Sequence, residues 1–413
     1  MEERLQQLLG FGVTIGNMSR PTPHAWQLEE VVLSDPETKA DVARVRNVSF
    51  AVVHERIRLH MSQPEFRAAH LDLVWRALHD RLLCQPEILG AGMDVMAEDL
   101  SVHSVVQGVT VTPVRVWVDS APARTRAIVQ FKLAGTGSDD EPAVLRVERT
   151  RGSESPRTVW TLQTGSTPLP CSVLADYLPV MRRLGIHAEF SGILHWEAGI
   201  AGHREDYSVR LEQARFAKVN LTELLEPFDY RMSGLGDIEI QELVRYRGLP
   251  IGRATGSLVV EESKVDSEIL RRMGGLLGVH VGPLPSDPGA RVACQLISLQ
   301  FQLNGQQLQL LGTGYRQPGF EYLEPGVAVV AGQVPLVRID PRQRVPVEQV
   351  SSLVDPDQRV SLPLGVERHW ANGLLPPLAE GVGGGFGIEG RSNSTTPAEG
   401  PPYVRGLRID GQR

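Results

Sequence analysis

Residues Leu299 to Gly314 read LQFQLNGQQLQLLGTG. Leu299, Phe301 and Leu303, preceded by Ile297, alternate with polar residues into Asn304-Gly305, and Leu308 and Leu310 alternate out again. Alternation with period two places the apolar side chains on one face of a strand. Asn-Gly tolerates the positive φ that a tight hairpin turn requires. The stretch within 291–316 therefore predicts an antiparallel hairpin with one apolar face and one polar face.

The same pattern extends outward. Upstream, Ile238–Arg247 and Arg253–Val260 form a second pair, joined by Gly248-Leu249-Pro250. Tyr207–Arg215 alternates Tyr207, Val209 and Leu211, and His187–Trp196 puts Phe190, Leu194 and Trp196 on one face. Between 93 and 164, Val114, Val116 and Val118 alternate, as do Ala127, Val129, Phe131 and Leu133, and Leu145–Thr150 and Thr158–Gln163 continue the meander. Near the N-terminus, strands are expected at Val13-Thr14-Ile15, at Trp26 to Leu33, and at 43–53 and 56–62. Gly326–Ala331 adds a late strand.

Helical periodicity interrupts this pattern in a few places. Leu71, Val74, Leu78 and Leu82 recur at three and four, predicting a helix over 65–83. Leu174, Leu178, Met181 and Leu184 do so over 171–184, where Pro179 predicts a kink or two short pieces. Asp266 or Ser267 caps a helix carrying Ile269, Leu270, Met273 and Leu277, ended by a glycine C-cap within Gly274–Gly278. Residues 1–10 and Val347–Val354 are shorter candidates. The fold class is mainly β with a few helices (α+β): curved antiparallel sheets, able to form an open β-groove, covered by helices. The organisation expected is a first unit at 1–165, a second at 166–377, and a disordered Gly/Pro/Ser-rich tail at 378–413.

Composition narrows the function. The chain has 413 residues, 41 of them glycine and 29 proline, which favours many short strands joined by turns. A net charge of -7 offers no footprint for nucleic acid. Cys84, Cys171 and Cys294 are odd in number and widely spaced, and are read as small buried hydrophobes. No apolar run approaches the ~18 residues needed to span a bilayer.

The sequence carries no recognisable motif of catalytic, nucleotide or metal chemistry. Neither a nucleophile elbow nor a Walker A loop occurs. The histidines show no ligand spacing: His70 and His79 fall on opposite sides of an α-helix and are read as solvated or capped. His203 to Asp206 reads as a charged turn. Gly385-Phe-Gly387-Ile-Glu-Gly390 matches a dinucleotide fingerprint but lacks its strand–turn–helix context. The expectation is no catalytic residue, no cofactor and no metal.

The opening residues carry a resemblance. Leu5–Leu9 leads into Gly10-Phe-Gly12-Val13-Thr14-Ile15-Gly16, then Gln27-Leu28-Glu29-Glu30-Val31-Val32-Leu33-Ser34-Asp35-Pro36-Glu37 and Ala43-Arg44-Val45-Arg46-Asn47-Val48. This resembles the N-terminal unit of AsmA-like proteins, relatives of TamB and the bridge-like lipid transporters. It is similar over about the first 60 residues and more loosely over 185–350. The resemblance implies a curved antiparallel groove, apolar inside and polar outside, that holds the acyl chains of phospholipid. The groove residues expected are Phe190, Leu194, Trp196, Leu299 and Phe301. It also implies a transmembrane helix just before Met1, and with it the periplasmic face of an inner membrane; a chain that begins at Met1 would instead be cytoplasmic. The alternative is a protein-interaction scaffold whose sheets close into a core and leave no groove.

Overall fold

The computed structural model describes residues 2–350, except 55, 86–90, 122, 152–155, 176–178, 199–206, 227–229, 246–250, 288 and 348. Helix α1 (Glu2–Leu9) enters an antiparallel meander of β1 (Gly12–Thr22), β2 (Ala25–Ser34), β3 (Asp41–Val53) and β4 (Arg56–Arg67). A helical crossover at 68–83 returns the chain, so that β5 (Gly92–Glu98) and β6 (Leu100–His103) pair parallel to β4. The meander resumes through β7 (Val109–Ala121), β8 (Arg124–Leu133), β9 (Ala143–Thr150) and β10 (Arg157–Gln163).

Past a two-residue β11 (Leu169–Pro170), β12 (Glu189–Ala198) pairs with β10, so the sheet runs unbroken across residue 165. It goes on through β13 (Tyr207–Asn220), β14 (Met232–Arg245) and β15 (Ile251–Asp266). After the short β16 (His280–Val281), β17 (Arg291–Asn304) pairs with β15. There the sheet forks: β17 pairs with both β18 (Gln307–Gly312) and β19 (Val327–Ala331). β20 (Val334–Arg338) bridges β19 and β16, and β21 (Arg344–Pro346) closes on β18. All 21 strands among the described residues belong to one sheet.

The opening hairpin holds as expected, with Leu303 opposite Leu308 and Asn304 opposite Gln307. Several strands carry a bulge at a polar residue with positive φ: Gln213 and Lys218 in β13, Glu262 in β15. One extra residue bends the strand and shifts the alternation. Leu211 and Phe216, five apart, thus still pair with apolar residues, Leu194 and Phe190.

The helix expected over 65–83 is shorter and less regular. Glu65, Phe66 and Arg67 are strand, because all three pair with β6 and the first two also pair with β3. A 3-10 turn (Ala68–His70), α2 (Leu71–Arg76) and a π-wound segment (Ala77–Leu83) follow. Over 171–184 there are two pieces, a 3-10 turn at Cys171–Leu174 and α3 (Pro179–Arg183). Beyond α4 (Leu221–Leu225), α5 (Ser267–Leu277) is capped by Asp266, whose side chain accepts from Glu268 N at 2.9 Å. It ends at Gly278, left-handed at φ 65°. The tail from 378, the 385–390 glycine motif and the His203–Asp206 turn lie outside the described residues, as do residues 351–354 of the expected last helix.

Candidate functional site

Following the register from strand to strand exposes one continuous row. Trp26 pairs with Phe50, Phe50 with Leu59, Leu59 with Val95, Val95 with Val116, and Val116 with Val129. From Val129 the row passes to Leu145, Leu162, Leu194, Leu211 and Leu243. It ends at Ala254, Leu303, Leu308 and Val345. Every member is apolar. From Trp26 to Leu243 each is half-buried, while Ala254, Leu303 and Val345 are fully buried. At ~4.8 Å between strands, the half-buried part runs roughly 50 Å along the sheet.

The opposite face has another character. The neighbouring row there begins Ser49, His60, Met96, Arg115, Gln130. After Val144 it continues through Gln163, Ile193, Glu212, Glu242 and Thr255 to Gln302. Charges on this face pair across strands, as in Arg253 with Glu242 at 2.6 Å, and along a strand, as in Arg210 with Glu212 at 2.7 Å. Such exposed pairs fix register more than they stabilise. Shallow depressions of about 420 and 360 Å³ lie on this polar side, around Arg58 and Arg115 and around His195 and Arg210.

Helical segments cover the apolar face beside the row. Leu5 of α1 packs on Val13, Leu28, Val31, Val45 and Val48. Trp75 and Leu83 pack on the flanking row Val118, Ala127, Val147 and Trp160. Trp75 meets Trp160 at 3.7 Å between ring centroids, and Trp160 meets Trp196 at 5.5 Å. Met181, Leu184 and Leu224 lie over Phe190, Phe216 and Ile238. Leu270 and Leu277 of α5 belong to the core that includes Val260 and Ile297.

The five residues expected from the sequence all lie on this one face. Phe190 connects through Phe216, Ile238 and Leu258 to Leu299, while Trp196 and Phe301 stand two residues from Leu194 and Leu303. They do not share one environment. Leu194 belongs to the half-buried row, and Trp196 is 4% exposed. Phe190 packs beneath the 171–184 pieces, and Leu299 and Phe301 pack against the core below α5. The rest of the row was missed because strand-to-strand register is not written in any one segment. Its signal was the apolar phase of each strand taken separately.

Of the cysteines, Cys171 and Cys294 are buried as expected, and burial pushes their thiols up to about 12 and 11. Cys84 is half-buried, at the end of the π-wound segment. No helix among the described residues is long and apolar enough to cross a membrane. No family model matches the chain, and no curated protein matches it.

Proposed function

We propose that the half-buried row from Trp26 to Leu243 is a surface for lipid acyl chains. The protein is then a non-enzymatic envelope component resembling AsmA-like proteins, acting in intermembrane lipid passage or outer-envelope maintenance, at the periplasmic face of an inner membrane. The supporting observation is the row itself, apolar in every strand it crosses and left half-open between helical covers. Water gains nothing by wetting such a strip, and each methylene that replaces water there contributes about 0.8 kcal/mol. The chains of one leaflet extend about 15 Å, half the ~30 Å hydrocarbon core, so the strip accommodates about three end to end. Head groups would stay in solvent, which demands no charged pocket.

A second reading, a protein-interaction scaffold with a closed core, draws support from the C-terminal end. There Ala254 and Leu303 are buried with Val347, and the row is sealed. The two readings separate in one experiment. Solvent extraction of the purified protein, followed by mass spectrometry, yields bound phospholipid under the first. The triple variant Leu162→Glu, Leu194→Glu, Leu211→Glu keeps its β spectrum and loses that lipid. Wild-type protein free of lipid would reject the first reading.

A further inference from the structure

The π-wound segment ends on a cluster that the apolar row does not use. His79 Nδ1 lies 2.7 Å from Asp80 Oδ1 and 3.8 Å from Cys84 Sγ. One donor atom from each of the three residues falls within 4.8 Å of the others. The winding creates this proximity. In an α-helix, residues five apart sit about 140° around the axis from each other. Here the Cys84 N–H donates to the His79 carbonyl at 2.8 Å, a five-residue turn that brings both side chains to one side.

The other ring nitrogen is already engaged. His79 Nε2 lies 3.3 Å from Thr158 Oγ1, a hydroxyl that also accepts from Arg149 at 2.8 Å. Arg149 stands 3.4 Å from Nε2, at the ring nitrogen remote from Asp80, while Cys84 Sγ sits beside the ring, 3.8 Å from Nδ1 and 3.9 Å from Nε2. Trp75 flanks the imidazole at 5.1 Å between centroids. This leaves Nδ1 beside Asp80 with Cys84 Sγ within reach, and the ring orientation held through Nε2, as outer partners hold metal-ligating histidines.

We propose that His79 Nδ1, Asp80 and Cys84 Sγ bind one transition-metal ion of the zinc class, with water in the fourth position. Thiolate, imidazole and carboxylate together suit that class and not magnesium or calcium. Bond lengths of about 2.0 Å to nitrogen and 2.3 Å to sulfur imply about 3.5 Å between those donors, close to the spacing present. Asp80 is exposed and free to swing to its bond distance; Cys84 and His79 are half-buried. Burial opposes charge on His79, yet Asp80 and Cys84 outweigh it and push its pKa up to about 9. Metal binding displaces the protons of its ligands, so affinity falls as pH is lowered.

The test uses the whole chain, stripped of metal and titrated with cobalt(II). The expected result is a thiolate-to-cobalt charge-transfer band saturating at about one ion per chain. Cys84→Ser and His79→Gln abolish it, Asp80→Asn weakens binding about tenfold, and Cys171→Ala leaves it intact. A second measurement needs no variant: zinc protects Cys84 of the wild-type chain from iodoacetamide, with the alkylated site located by peptide mapping. Absence of the band at stoichiometric cobalt, its persistence in Cys84→Ser, or alkylation of Cys84 undiminished by zinc would each overturn the proposal. None of these outcomes depends on whether the sheet binds lipid.

Discussion

Leu194 and Trp196 stand two residues apart on one strand, yet they do different work. Trp196 is 4% exposed and meets Trp160 ring to ring in a tilted arrangement. Trp196→Ala is predicted to cost about 3–5 kcal/mol in urea unfolding, the range for a large buried aromatic. Leu194 is half-buried, and Leu194→Ala should cost about 1 kcal/mol, since less apolar area returns to water. Alternation in the sequence was enough to place both on one face. Their different burial was not legible, because it depends on neighbours distant in sequence: Trp196 meets Trp160, and Trp160 in turn meets Trp75 of the crossover. The His79 cluster was illegible for a related reason. Reading 65–83 as an α-helix puts Cys84 on the far side from His79, and only the π winding reverses that.

Asp35 carries a pH dependence at the same scale. It accepts from Thr38 Oγ1 at 2.6 Å and from Glu37 N at 3.0 Å in the turn between β2 and β3. These hydrogen bonds, led by Thr38, hold its carboxyl below the ordinary value of 3.8. A depressed carboxyl stabilises the fold above its unfolded value, and that contribution is lost as pH falls from about 3.8 through the lower folded value. Asp35→Asn should therefore lower Tm at pH 7, and the gap to wild type should close below about pH 4. A gap that stays constant from pH 7 to pH 3 would exclude the carboxylate as its source.

At the level of elements, close strand approach and helix capping make separate demands. A Cβ on Gly256 would collide with the Glu239 carbonyl and with the Phe301 ring that covers it. Gly256→Ala is predicted to destabilise by about 1–3 kcal/mol, as overpacking does. Asp266→Ala removes the α5 cap and should cost about 1 kcal/mol. Chemical denaturation of each variant measures both. The cap and its left-handed glycine were readable because they are local. So was the Asn304-Gly305 hairpin. The strand character of Glu65 to Arg67 was not, since partners on both sides decide it: Arg44 and Ala43 in β3, Ser101 to His103 in β6.

Across the whole molecule, the sheet is a single object, and its function is argued from that continuity. Each strand that the row crosses contributes one apolar residue, and the bulges keep the phase where simple alternation would lose it. No single strand displays a groove. The amino-acid pattern therefore supported the fold class, and the resemblance pointed to a groove with a closed core as the alternative. The structure adds a half-buried strip between helical covers, and acyl chains are what we propose to lie along it. Photo-crosslinking tests this most directly. A photoreactive residue is placed in turn at Leu162, Leu194 and Leu211 on the apolar face, and at Gln163, His195 and Arg210 on the polar face, with phospholipid vesicles present. Lipid adducts from the first set and none from the second are the predicted result; equal labelling of both faces, or no lipid adduct from the first set, would contradict it.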